Sequence, residues 1–358
     1  MKFKKILALA LSITMILGIT ACGGNNTASS SGSSSETASS GTSDENSSSD
    51  TTDNAELTDI DVVLDWYPNA IHTFLYYAQE NGYFAEEGLN VNLISPADNV
   101  DSITFVGSGR AQIGLTYPVD IINSAEQGMS VKALGSVCAQ QLDCMCTLAT
   151  NTEITSDLST LKGKKIGYSG TAISEAVVRT IANNAGLADD DYEMINVGYD
   201  LVTSLTTEKV DLVTGIFMND EIPTMELAGY DVNVFYEEDY GLPEMYGLVM
   251  AVNSDAYDAD PEIYQGFLRA CEKGFEDMKS DEDAAIDLIM DKMNSDDNPL
   301  DETQQRESYR ILMERMETSD EPFPTMKDEK WENIIKWMYD EGLIEKEISV
   351  SDVVIENE

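Results

Sequence analysis

From residue 58 onward, short apolar runs alternate with stretches in which apolar residues recur every three or four positions. That alternation of period-two and period-3.6 segments is the signature of α/β units. Strands are expected at IDVVLDW (60–66), LNVNLIS (89–95), AQIGLTY (111–117), VKALGSVC (131–138) and DCMCTLAT (143–150). Helices are expected near 70–81, 99–109 and 118–127, the first and third closed by Gly82 and Gly128.

A second block opens at LSTLKGKKIGYSG (158–170) and repeats the pattern. It reads as a helix at 173–186, a strand near 193–199, a helix at 201–209, a strand at 210–217, a further helix, and a strand at 231–238. YGLVMAVN (246–253) reads as a strand returning to the first block. Helical periodicity then dominates, at 261–280, 281–293, 303–316 and 329–342. Two α/β lobes joined by two crossings follow, with lobe 1 at 58–152 and 250–350 and lobe 2 at 153–249. Such a fold places its ligand between the lobes, at the carboxyl ends of the strands.

The first 57 residues have a different character. Lys2, Lys4 and Lys5 precede an apolar run from Ile6 to Ile19, then small residues before Cys22. This is a secretory signal (1–21) rather than a spanning helix. Ile19-Thr20-Ala21-Cys22 resembles a bacterial lipobox, so Cys22 is the expected lipidation site and mature N-terminus. Residues 22–57 continue as an acidic Ser/Thr-rich tether that cannot bury enough surface to fold. Its mean reach is about 30 Å. The expected location is the extracytoplasmic face of the membrane.

Composition narrows the function classes. The net charge is −45, from 21 Lys+Arg against 66 Asp+Glu, so no basic stripe is present for nucleic acid. Cys138, Cys144, Cys146 and Cys271 have no diagnostic spacing. Free, partly buried thiols are favoured over one disulfide, and a metal site ranks third. No GxSxG, HExxH, GxxxxGK[ST] or GxGxxG pattern occurs, and only one histidine is available for any triad. No catalysis, cofactor or metal is expected.

The one histidine lies in LDWYPNAIHTF (64–74). Pro68 stops the strand, Asn69 suits an N-cap, and His72 falls in the first helical turn. There the helix dipole disfavours an imidazolium, leaving a neutral ring with one donor and one acceptor. Trp66, at the strand's carboxyl end, could stack a flat ring. Spacing alone leaves two readings open: a cap and a packed histidine, or two polar walls of a cleft. YSGTAISEAVV (168–178) repeats the arrangement, with Ser169, Thr171 and Ser174 around a helix start that either caps itself or receives an acceptor. Glu221 opens a helix after the strand at 210–217, placed to accept from an exocyclic amine or simply solvated.

LDWYPNAIHTFLYYAQENGYFAEEGLNV resembles the opening of ABC-importer solute-binding proteins related to yeast thiamine-pyrimidine synthase. GSGRAQIGLTY (107–117), LKGKKIGYSG (161–170) and SLTTEKVDLVTGIFMNDE (204–221) extend the match over roughly 60–255. The resemblance implies a type-2 periplasmic-binding-protein fold that closes over its ligand at a hinge. It also implies a small-molecule ligand, an ABC permease with its ATPase as partner, and a monomer anchored to the membrane. The Trp-x-Pro-Asn-x-x-His type is associated with thiamine pyrimidine precursors, formylaminopyrimidine or hydroxymethylpyrimidine. The implied ligand-binding set is Trp66, Asn69, His72, Tyr117, Ser169, Thr171, Ser174, Asn219, Glu221 and Tyr246, with Glu221 on the amino edge. Gly247 departs from a Tyr-x-Glu-Leu-Val pattern, which points to a riboflavin-type precursor or another small heterocycle; the alternative of an alkanesulfonate, taurine or nitrate would rest on the Ser169–Ser174 helix start. The synthase branch needs a pyridoxal phosphate (PLP) lysine beside the histidine, and none lies between Lys5 and Lys132.

Overall fold

The computed structural model describes residues 57–96 and 101–356. The signal segment, Cys22 and all but the last residue of the tether lie outside the described residues, as does the start of the helix expected at 99–109.

Among the described residues, ten strands form two mixed sheets. The first contains β1 (Thr58–Val63), β2 (Leu89–Ile94), β3 (Ile113–Thr116) and β4 (Val131–Cys138), with β10 (Leu248–Asn253) inserted between β3 and β4. The second contains β5 (Asp143–Leu148), β6 (Lys165–Tyr168), β7 (Glu193–Asn196), β8 (Leu212–Phe217) and β9 (Val232–Tyr236), in the order β7-β6-β8-β5-β9. β1, β2 and β3 run parallel, as do β6, β7 and β8, whereas β10 and β5 enter antiparallel to their neighbours.

The alternation of strands and helices, and the return of the chain to the first sheet, are as the hydrophobic pattern predicts. One boundary is corrected. Residues 143–150 were expected with the first lobe, but β5 pairs with β8 and β9 in the second sheet. The chain therefore crosses at 139–142, well before residue 152, and crosses back at 237–247. A buried strand has the same apolar pattern in either sheet, so periodicity cannot assign it to one.

The helix that follows the histidine is seated deeply. Thr73–Glu80 packs along the long Pro261–Ser280 helix, where a side chain on Gly274 would meet the Phe74 carbonyl. Glycine there lets the two backbones approach, and Phe74 fills the space left toward Phe323, with ring centroids 5.2 Å apart. Phe74 is fully buried, and burial of such a ring stabilises by roughly 1.5–3 kcal/mol. The four thiols at Cys138, Cys144, Cys146 and Cys271 are free and buried, the favoured sequence reading.

Candidate functional site

β1, β3, β6 and β8 all end toward the loops that carry the sequence candidates, the usual placement for a ligand in parallel α/β folds. Beyond β1 the chain turns through Trp66 and Tyr67 into a short 3-10 turn, Ala70–His72. Asn69 caps that turn: its Oδ1 accepts from Ile71 N–H at 3.1 Å and its Nδ2 donates to Tyr67 O at 3.2 Å. Trp66 stays 59% exposed, a large indole face left open at a strand end.

His72 is fully buried, and both ring nitrogens are occupied within the protein. Nδ1 accepts from Asn69 N–H at 3.2 Å, so the proton lies on Nε2, which donates to Asp65 Oδ1 at 2.9 Å. The ring is neutral, as its helical position predicts. The expectation that it lines the cleft is corrected: it orients Asp65, whose other oxygen accepts from Tyr117 Oη at 3.3 Å. Burial and the charges of Asp65, Asp143 and Asp120 hold the Tyr117 hydroxyl well above the usual phenol range.

From the second sheet, Glu221 Oε2 accepts from Phe217 N–H at 3.0 Å. Burial, reinforced by Asp220, pushes its carboxyl up to about 7. Asp143, at the start of β5, is also pushed up, first by burial and then by the charges of Glu237 and Glu221. Phe217 lies against Tyr117, with ring centroids 6.3 Å apart. The arrangement is a set of carboxyls, Glu221 and Asp143 pushed toward their protonated form, around the Tyr117–Phe217 pair. Such groups suit a ligand that both donates and accepts hydrogen bonds. Among the described residues no group of His, Cys, Asp or Glu is placed to hold a metal.

Trp66, Tyr67 and Asn69 also line a cavity of about 260 Å³, closed by Asp220 and Thr224 on one side and by Asn298, Gln304 and Gln305 on the other. The glutamines belong to the Glu302–Arg315 helix, which touches both sheets' loops. Gln305 Oε1 accepts from Ala70 N–H at 2.8 Å, and Gln304 Nε2 donates to Asp220 Oδ1 at 2.7 Å.

Other candidates are placed differently. Thr171 and Ser174 cap one another reciprocally at the start of the Ala172–Asn184 helix, beside Ser169. Asn219 is 7% exposed and donates to Ser308 Oγ at 3.4 Å, so it packs against the Glu302–Arg315 helix. Tyr246 is corrected outright. It is 2% exposed, donates to Glu321 and accepts from Lys327 N–H at 2.7 Å, in the crossing between the sheets. Gly247 is explained by the same crossing, because a Cβ there would lie 2.6 Å from Gln140 O. The glycine lets two backbones come into contact there.

Asp65, Asp143, Gln304 and Gln305 were not singled out in the sequence. Asp65 lay inside the Leu-Asp-Trp motif, but in so acidic a chain a lone aspartate does not stand out.

Comparison with known proteins places the chain. A family profile described as "NMT1/THI5 like" matches residues 69–285. The formylaminopyrimidine-binding protein of Halalkalibacterium halodurans is 33% identical over 83% of this chain and 89% of its own length. The 4-amino-5-hydroxymethyl-2-methylpyrimidine phosphate synthase of Aspergillus parasiticus is 26% identical over 65% of this chain and 70% of its own. In fold, the periplasmic aliphatic sulphonate binding protein SsuA from Escherichia coli aligns with a TM-score of 0.65 at 14% identity, covering 83% of this chain and 92% of that one. The architecture is that of periplasmic binding proteins, and the chain belongs to the NMT1/THI5-like family.

Proposed function

We propose that this protein is the solute-binding subunit of an ABC importer, capturing a thiamine pyrimidine precursor such as formylaminopyrimidine or hydroxymethylpyrimidine. The observation that carries this reading is the cavity lined by exposed Trp66, Asn69 and Asp220, with Glu221, the next residue, pushed up to about 7 by burial and by Asp220. The indole would stack a flat ring, and the carboxyls would take its exocyclic amine and ring nitrogen. The similarity to a formylaminopyrimidine-binding protein supports the same ligand class. A sulfonate, taurine or nitrate would bring negative charge toward Asp65, against the field of its carboxylate.

The protein performs no chemistry on its ligand in this reading. Its one histidine is committed to Asp65, and the PLP lysine of the synthase branch has no counterpart before Lys132. Anchored through Cys22 outside the membrane, the subunit would pass its cargo to the permease. Titration of Trp66 fluorescence with formylaminopyrimidine, hydroxymethylpyrimidine, a flavin and taurine tests the proposal. Saturable quenching by the pyrimidines is expected. Quenching by taurine alone would replace this reading with an anion-binding one.

A further inference from the structure

The two crossings, 139–142 and 237–247, are both gripped by the stretch of chain from Arg315 to Lys330. One grip is complete. Lys330 Nζ donates to Ala139 O at 2.7 Å and to Glu321 Oε2 at 2.8 Å, while Glu321 also accepts from Tyr246. The ammonium lies 4.4 Å from the Tyr246 ring centroid, and Lys330, Glu321 and Tyr246 are all buried. Separating Lys330 from Glu321 would leave a charge unpaired in the interior, so this cluster is a fixed point.

The other grip is unfinished. Arg315 Nη1 donates to Gln141 O at 3.2 Å, and its guanidinium sits 4.6 Å from the Tyr236 ring centroid. Yet it stands 3.6 Å from Glu238 Oε1, and Glu238 Oε2 is buried with no hydrogen-bond partner. Gln141 Oε1, on the opposite crossing, is unpartnered as well, although its Nε2 donates to Glu237 at 2.9 Å. Buried polar groups are ordinarily satisfied, and a guanidinium offers a fork matched to both oxygens of a carboxylate. A long ion pair beside unpartnered acceptors on both crossings marks a contact completed in another arrangement of the sheets.

We propose that Arg315 and Glu238 are the positioning residues of the hinge, forming a two-pronged ion pair when the lobes close and thereby favouring the closed state. The Lys330 cluster keeps its place as the lobes turn, so rotation is taken up beyond it, at Gln141 and Glu238. This rests on the proposed capture of solute by closure, but the hinge can be examined without any ligand.

The test uses spin labels at Asp190→Cys and Asp258→Cys, with Cys22→Ser so that only introduced thiols react, and reads inter-lobe distances by pulsed electron resonance. Glu238→Gln, Arg315→Gln and the double variant are each expected to shift the ligand-free distribution toward longer distances. Each should speed formylaminopyrimidine dissociation about tenfold, the double variant no more than either single one. Arg315→Lys, which keeps the charge and loses the fork, should fall between. Unchanged distances with lowered urea midpoints would make the contact merely structural and overturn the proposal, as would additive effects. If the unsubstituted protein binds no pyrimidine, the ligand reading fails, while the ligand-free distances still decide the hinge.

Discussion

His72 donates its Nε2 proton to Asp65 Oδ1 across 2.9 Å while its Nδ1 takes the N–H of Asn69. One buried ring thus ties the turn after β1 to the carboxylate that meets Tyr117. His72→Ala would remove both hydrogen bonds and open a cavity in the core. A stability loss of about 3 kcal/mol is expected from urea unfolding. Pyrimidine affinity should fall with it because Asp65 loses its orientation, while Trp66 quenching at saturation should persist.

Trp66 makes the opposite prediction. It is largely exposed and its ring meets Tyr67 edge-on, with centroids 5.7 Å apart. Trp66→Ala should change stability by under about 0.5 kcal/mol, the range for surface substitutions. Binding of any flat heterocycle should be abolished in calorimetry. Retained affinity would remove Trp66 from the site.

Glu221 links the site to pH. Its folded-state value, about 7, lies above the ordinary value of 4.5, so the folded protein holds this proton over a range where the unfolded chain has released it. Stability from this group is greatest below about pH 4.5 and declines as pH rises through 7. Asp143 is raised too and acts in the same sense. Ligand-free protein should therefore lose on the order of 2 kcal/mol between pH 5 and pH 8, measured by urea midpoints. Glu221→Gln should flatten part of that slope and weaken an aminopyrimidine by about 1.5–3 kcal/mol. A steep slope surviving in the variant would assign it to other groups.

Gly247 is expected to tolerate nothing larger. Its Cβ would strike a backbone oxygen, which cannot rotate aside as a side chain can. Gly247→Ala should cost about 1–3 kcal/mol by the strain of overpacking. Restoring glutamate, as in the Tyr-x-Glu pattern, should cost more and confer no pyrimidine selectivity. Improved binding in that variant would return position 247 to the ligand site.

Much of the fold was legible in the sequence because strands and helices impose their periods on apolar residues wherever they sit. What was not legible depended on which partner a strand or side chain chooses. β5 looked the same in either sheet, and Tyr246, at the head of an apolar strand, pointed into a crossing rather than a cleft. Unusual residues, Trp66 and His72, drew attention to the loop after β1, although His72 itself is buried beneath it. The candidate site was hidden where acids did the work, because Asp65 and Asp143 are ordinary residues in this composition. Their significance comes from burial and from one another, neither of which the linear order displays. His72 shows the remaining gap: its position gave the ring's neutrality, but only the packed structure shows which groups occupy its two nitrogens.

The four free thiols have a consequence for how this protein would fare in oxidising surroundings. Burial raises each above its ordinary value, Cys138 and Cys146 to about 12, so almost none is present as the reactive thiolate. The folded body thus owes nothing to cystine bridges and gives oxidants little to attack, so its fold should be indifferent to the redox poise of its surroundings.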